Sequence, residues 1–527
     1  MDGRQSLPDL LNALVEIVGA EHVLTGDEDR AFYSQDIYRS ADEPVSVVVR
    51  PGSTDEVARA VAAATSAGFS VIARGGGSSY TGGLLPDRPN AVSVDTKRLD
   101  RVVEINTDDM YVVVEVGCTW QELHRALKPH GVRPPFWGPA SGGTATVGGS
   151  LSQNAILHGS ALHGVSSESV LGLEVVLADG SVVPTGSWST VGSKPFFRHY
   201  GPDLTGLFLG DTGALGIKTR AALRLMRIPP AAGFASFEFS DRTRFAEAMG
   251  EVARSGLVSM CFGMDPVLQH QRMKRTSLTQ DVKALKGVVT SARSLGKGLK
   301  EAARVVAAGR SFLEEHSYST HYIVEGRTEA EVEERMGALR GICLEHGHEV
   351  ENTLPKVLYG DSFFPMTTAI GPRGERWAPV HGIVPVGDAP AALAKLEALF
   401  AGHAEEMERL GVVIGILLST VGSNGFVLEP VFYWPGPLTL YYERVLEPSY
   451  LAKLTKFEHS PEAEALVAGI RAELLDAFSE IGAVHLQVGK TYPYRAGRNP
   501  TTWRLVEAIK DAVDPKRLMN PKALGLD

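Results

Sequence analysis

Short runs of β-branched and apolar residues alternate with amphipathic stretches over the first 130 positions. VSVVV, FSVIA, AVSVD and YVVVEVG read as strands, and helical periodicity falls on Thr54–Ala67 and Thr119–Pro129. This alternation predicts layered α/β structure. Ser53 and Thr54, followed by Asp55 and Glu56, give the first of these helices a start with a hydroxyl cap and acids in the first turn. Before them, SLPDLLNALVEIV reads as an amphipathic N-terminal helix. Glu174–Ala178 and Gly216–Leu225 supply strands for a second sheet.

The pattern changes after Arg227-Ile228-Pro229-Pro230, since a double proline ends both helix and central strand. A strand (FASFEFS) and a helix follow, then a basic stretch from His270 to Arg310 carrying ten Lys or Arg against Asp281 and Glu301. Val282, Leu285, Val289 and Leu299 recur in it at helical spacing, which predicts a basic amphipathic helix. Such a helix can lie on an anionic membrane or dock an acidic redox partner; a solvated helical insertion is the favoured reading. A strand is predicted at Tyr318–Val324, helices at Glu329–His346 and Ala389–Leu410, and a hairpin from VVIGILLSTV through GSNG to FVLEPVFYW. The C-terminal part predicts a helix at Pro461–Ile481, a strand near Val484–Val488 and a last helix at Thr501–Val513.

Two polar, glycine-rich runs interrupt this pattern and carry the first chemical signal. Val71–Gly83, VIARGGGSSYTGG, ends an apolar strand in three glycines and two serines, a sequence whose main-chain N–H groups can approach an anion closely. Pro139–Asn154, PASGGTATVGGSLSQN, is a second such run. Neither is a P-loop, which needs a Lys, nor a Rossmann turn, which needs G-x-G-x-x-G opening a helix and an acid downstream. Together they point to a pyrophosphate cradle.

The same runs, with RPGSTDEVARAVAAA, EVGCTWQELHRAL, LGLEVVLADGSVV, LFLGDTGALGIKTRAALRL and the closing IKDAVDPKRLMNP, stand in the order found in one flavoprotein family. The chain resembles the vanillyl-alcohol oxidase and p-cresol methylhydroxylase family of FAD-linked oxidases and dehydrogenases, over most of residues 45–228 and 485–527. The resemblance implies an α+β protein: a two-subdomain FAD-binding domain plus an antiparallel-sheet cap. Its parts would be 1–228, a cap at 229–450, and a segment 451–527 completing the first domain. It implies FAD held by Arg74, Gly75, Gly76, Gly77, Ser78, Ser79, Pro139, Ser141, Thr146, Gly148, Gly149, Ser152, Asn154, Gly159, Gly216 and Ile217. Many relatives attach the flavin to a histidine where this chain has Ser78 and Ser79, or through a cap residue for which His381 is the nearest histidine. Noncovalent FAD is the favoured expectation. Lys522 stands where relatives usually have Gly after Asn-Pro.

Composition adds bounds. At 527 residues the chain suggests more than one domain, and a net charge of −10 argues against general nucleic-acid binding. Cys118, Cys261 and Cys343 are far apart and form no metal or redox motif, which favours a reducing compartment. His346 and His348 resemble a metal pair only superficially, so no metal is expected. With no evident signal peptide or membrane-length apolar run, a cytoplasmic protein is expected, and so is a homo-oligomer.

Candidate chemistry lies in GKTYPYRAGRNP. Tyr494 and Arg495 match the pair with which the phenol-oxidising branch of the family holds a substrate phenolate, and on an extended strand Tyr492 would share a face with Tyr494. Arg presents fixed donors to an oxyanion and Tyr adds another. His158, near where the flavin should lie, is an acid/base candidate. The implied reaction is hydride transfer from the benzylic carbon of a para-substituted phenol to FAD, with O2, a cytochrome or a quinone as final acceptor. Two alternatives stand beside it: an FAD-dependent D-2-hydroxy-acid dehydrogenase of the D-lactate type, and a flavin-bearing electron-transfer subunit.

Overall fold

In the computed structural model, which describes residues 6–275 and 317–527, three main sheets and a two-stranded ribbon of Val132–Arg133 and Met226–Arg227 surround one large cavity. Most of the expected basic helix at 270–310 lies outside the described residues. The first sheet holds Val23–Leu24, Val47–Val49, Ala91–Asp95 and Ser70–Arg74 in that spatial order, the last three parallel. Parallel strands are covered on both faces, which is why VVV at 47–49 is buried throughout. Helix Thr54–Ser66 covers one face through Val57, Ala60, Val61 and Ala64, and the Ser53 hydroxyl caps it by accepting the Glu56 N–H. The C-terminal segment closes this sheet's edge: Val71 N–H donates to the Leu518 carbonyl and Asn520 N–H to that of Val71. Lys522 has φ 64°, a left-handed conformation that glycine adopts most easily, consistent with the glycine expected there.

The second sheet is antiparallel, with Val102–Asn106, Tyr111–Glu115, Ile217–Arg224, Val170–Val176 and Val182–Pro184 in order. Helix Trp120–Leu127, capped by Thr119 and Glu122, buries Trp120, Leu123 and Leu127 against it.

The third sheet is the largest and is wholly antiparallel. Its order is His348–Val350, Ala231–Phe239, Tyr318–Gly326, Met260–Met264, Val413–Val421, Gly425–Trp434 and Arg376–Pro379, with Gly382–Pro385 also pairing to the 425–434 strand. The predicted hairpin is present, and its two arms are interior strands. Helices Arg242–Ser255, Glu329–Leu344, Ala389–Gly402 and Pro461–Glu480 cover one face with a continuous apolar core; the other face looks into the cavity. Two sequence expectations fail locally. The helix expected over 389–410 breaks at His403 into two. No strand forms at 484–488: Val484 makes one isolated bridge to Ile383, and the next free amide, that of Leu486, donates to the His381 ring instead.

The cap sheet is tied to the first half of the chain by a buried bidentate pair, Arg133 Nη2 to the two Glu325 carboxylate oxygens at 2.9 and 2.7 Å. The Arg133 guanidinium also lies 3.7 Å from the centre of the Trp137 ring.

Candidate cofactor and substrate cavity

The strand Ser70–Arg74 ends at the mouth of the first glycine-rich loop, and its last side chain turns inward. Arg74 is buried, donates from Nη1 to the Gln35 carbonyl at 2.8 Å, and lies over the rings of Phe32 and Tyr33. Its Nε and Nη2 have no hydrogen-bond partner. Burial holds its pKa below the usual arginine value. A buried guanidinium with unmet donors is costly unless a ligand meets them.

The two glycine-rich runs are pressed against each other. A Cβ at Gly75 would stand 2.3 Å from Thr146 Oγ1, and one at Gly76 would stand 2.0 Å from the Thr144 carbonyl oxygen. Glycine is therefore required at 75 and 76 by contact between the loops as well as by any ligand. Among the described residues the N–H groups of Gly76, Gly77 and Ser78 make no hydrogen bond. Ser78 Oγ stands 3.2 Å from Thr144 Oγ1 and 3.4 Å from the Tyr441 hydroxyl.

Beneath these loops lies a cavity of about 1340 Å³. Of the sixteen expected cofactor residues, all but Asn154 and Gly159 line it. Asn154 terminates helix Val147–Gln153 with φ 50°, its side chain set against Gly210. Gly159, at φ 89°, is packed so that a Cβ would meet the Pro135 carbonyl at 2.2 Å. Both are structural positions. Gln153, whose buried Oε1 is unpartnered, also lines the cavity, as do two residues the sequence reading missed, Thr212 and Lys218, the latter paired to Asp211 at 2.6 Å. An unmet guanidinium, idle main-chain amides and two side-chain-poor loops fit the anionic diphosphate of a dinucleotide.

The far half of the cavity belongs to the cap sheet and to the segment 353–369. Phe262, Met264, Leu354, Leu358, Phe364, Met366, Trp377, Leu417 and Val427 make it apolar. Gln269, Arg272, Glu429 and Gln487 are among its polar members, with Asp361 and the hydroxyls of Thr353, Thr368 and Ser419, and Gln487 Nε2 donates to the Tyr80 hydroxyl at 3.0 Å. Burial pushes the Glu429 carboxyl up to about 7, against the opposing pull of Arg272.

The expected phenolate clamp is not assembled here. Arg495 is exposed, with its guanidinium 5.3 Å from the Trp503 ring centre, and Tyr494 lies under the Arg498 guanidinium at 3.9 Å. Neither lines the cavity, because the chain at 489–495 is a string of turns rather than the extended strand that would aim them inward. Tyr492 is buried but behind the wall. Its oxygen accepts the His381 N–H at 2.8 Å and lies 2.9 Å from His381 Nδ1, while its ring stacks on His485 at 4.2 Å. His381 Nε2 accepts the Leu486 N–H, so both ring nitrogens are committed, burial takes its pKa down to about 3, and it does not line the cavity. Trp377 occupies the wall instead. His158 is also a fastener: its Nε2 lies 2.6 Å from the Ser362 carbonyl oxygen, it stacks on Trp137, and burial takes its pKa down to about 4. It pins the 353–369 segment to the second glycine-rich loop, outside the cavity lining.

Comparison with known proteins identifies the domain that carries the glycine-rich loops. Residues 45–186 match the family model described as FAD binding domain. The chain is 30% identical over 222 residues to the glycolate oxidase subunit GlcD of Bacillus subtilis (strain 168), covering 42% of this chain and 45% of that protein. It is 29% identical over 227 residues to a mitochondrial D-lactate dehydrogenase [cytochrome] of Arabidopsis thaliana, covering 43% and 38%. The match thus spans less than half the length of these curated relatives. Among solved structures, p-cresol methylhydroxylase with substrate bound superposes with a TM-score of 0.73 at 18% identity, covering 100% of this chain and 98% of that one. The chain carries an FAD-binding domain in a fold of the p-cresol methylhydroxylase type, and FAD is its cofactor.

Proposed function

We propose that the protein is an FAD-dependent oxidoreductase whose substrate is a largely apolar molecule bearing a hydroxyl group, with para-substituted phenols the leading class. The observation that carries this reading is the division of one cavity into two chemically different halves. Its 1340 Å³ exceeds the roughly 300–1,000 Å³ of a typical single-ligand pocket. Residues 74–79, 139–153 and 212–218 would hold the cofactor, leaving the apolar cap half for a second molecule. Bound FAD supplies the two-electron acceptor chemistry. The protein's own task is to orient the substrate, exclude water with the apolar wall, and handle a proton.

The curated relatives favour a second reading, oxidation of a D-2-hydroxy acid, and Arg272 in the cap half would suit a carboxylate. The apolar wall favours the first. Anaerobic mixing with 4-ethylphenol and with D-lactate, watching the flavin absorbance bleach, separates them: the proposal expects bleaching by the phenol, whereas bleaching by D-lactate alone would replace it with the second. A tightly held flavin that neither compound reduces would favour an electron-transfer subunit.

A further inference from the structure

Strand Gly425–Trp434 is apolar on both faces except at one position. Phe426, Leu428, Phe432 and Trp434 turn to the helices and join the core on that side. Val427 and Glu429 turn to the cavity, and Val431 and Tyr433 follow on the same side. A carboxylate in the middle of an interior strand of an eight-stranded sheet costs stability. Among the described residues the Glu429 carboxylate makes no hydrogen bond, and the charge of Arg272 offsets only part of that cost. Its accessible surface is cavity surface. Leu417, its partner across the strand pair, lines the cavity beside it.

Few other groups in the lining can take a proton. No histidine lines the cavity among the described residues, and the second carboxylate, Asp361, is exposed at the rim. Lys218 is tied to Asp211, and burial raises the Tyr80 hydroxyl well above its ordinary value.

Resting on the oxidoreductase reading above, we infer that Glu429 is the catalytic base of this site, receiving the proton of the substrate hydroxyl as the substrate is oxidised. The substrate C–H bond breaks with its electron pair leaving as hydride to the bound FAD, while the O–H bond breaks with its proton passing to the Glu429 carboxylate. The substrate loses two electrons and becomes a carbonyl compound, or a quinone methide where the hydroxyl is phenolic; the proton later returns to water. Among the described residues, three ionisable groups act on this carboxylate: Arg272 from helix Pro266–Arg275, Tyr80 from the first glycine-rich loop and Tyr492 from the C-terminal turns. Arg272 favours the carboxylate, and both tyrosines stay protonated near neutrality.

The test uses the full-length, FAD-loaded protein, its Glu429→Gln variant and its Glu429→Asp variant, with 4-ethylphenol and D-lactate as reductants. In the wild type the anaerobic bleaching rate should rise with pH and level off above about 7; a general base contributes roughly 10²- to 10⁴-fold. E429Q should lose that factor and its pH dependence while retaining FAD, and E429D should recover part of the rate. Infrared difference spectra give a readout apart from rate. The resting wild type should show a protonated carboxyl band titrating near 7 that is missing in E429Q, and the band should grow above that pH when substrate is oxidised. Equal bleaching rates in wild type and E429Q, or a titrating band that survives the substitution, would overturn the assignment while leaving the oxidoreductase reading intact. Failure of both reductants with the wild type would sink that reading and the assignment with it.

Discussion

The two halves of the cavity recognise their occupants by opposite means. On the glycine-rich side the wall is main chain: Gly75 and Gly76 leave no room for a side chain, and recognition falls to amides and to one buried arginine. On the cap side the wall is side chains, with Phe262, Leu417, Val427 and Trp377 lining it together with the carboxylate of Glu429. A backbone wall tolerates little change, because any Cβ meets a carbonyl or a neighbouring loop. A side-chain wall can be re-cut position by position, so the fold can keep its cofactor while changing its substrate.

Substitutions that break this contrast should have graded effects. Gly76→Val places a branched side chain where a Cβ already meets the Thr144 carbonyl at 2.0 Å; flavin should be absent from the purified protein, measured as absorbance per chain, with circular dichroism reporting whether the fold persists. Arg133→Met removes one partner of the buried pair with Glu325 and should lower unfolding free energy by about 3–5 kcal/mol in denaturant titrations. Arg74→Met should weaken FAD about 10- to 150-fold in fluorescence titrations, the worth of a charged hydrogen bond. Leu417→Ala, by contrast, should leave FAD affinity unchanged and raise KM about tenfold through lost apolar contact.

The smallest effects sharpen the comparison. Tyr494→Phe and Arg495→Ala lie outside the cavity and should alter kcat/KM by no more than about twofold; a loss of several orders with flavin retained would return the phenolate clamp to the site. Glu429→Gln should also change stability in a pH-dependent way. The folded carboxyl is raised to about 7 from an unfolded value near 4.3, so the stability it contributes is complete below the unfolded value and lost as pH rises through the folded one. The variant, having no charge to bury, should melt higher than the wild type at pH 8, as scanning calorimetry of the two apoproteins would show.

Most elements were legible in the sequence because their causes are local. Ser53 ahead of Asp55 and Glu56 marks a helix start wherever it occurs, and GSNG between two β-branched runs is a turn in any context. The two glycine-rich runs announced a ligand for the same reason, although the sequence could not say that they also press on each other. The expectations that failed depended on direction. Tyr494 and Arg495 sit in the right composition beside the right closing motif, yet turns at 489–495 aim them at solvent and at Trp503. His158 was an acid/base candidate and His381 an attachment candidate, yet His158 Nε2 is held by the Ser362 carbonyl and both ring nitrogens of His381 by the C-terminal turns. Glu429 went unnoticed, although a lone acid in LEPVFYW was the available signal; only strand alternation within a folded sheet shows which face it takes.

What the chain alone determined, then, was the anion cradle: close approach of backbone to an anion needs particular residues in a row, and such runs are visible in one dimension. What only the tertiary structure decided was which side chains share the space beyond it. Residues 80, 272, 417, 429 and 487 meet across most of the chain's length, and nothing in their local sequence records that meeting.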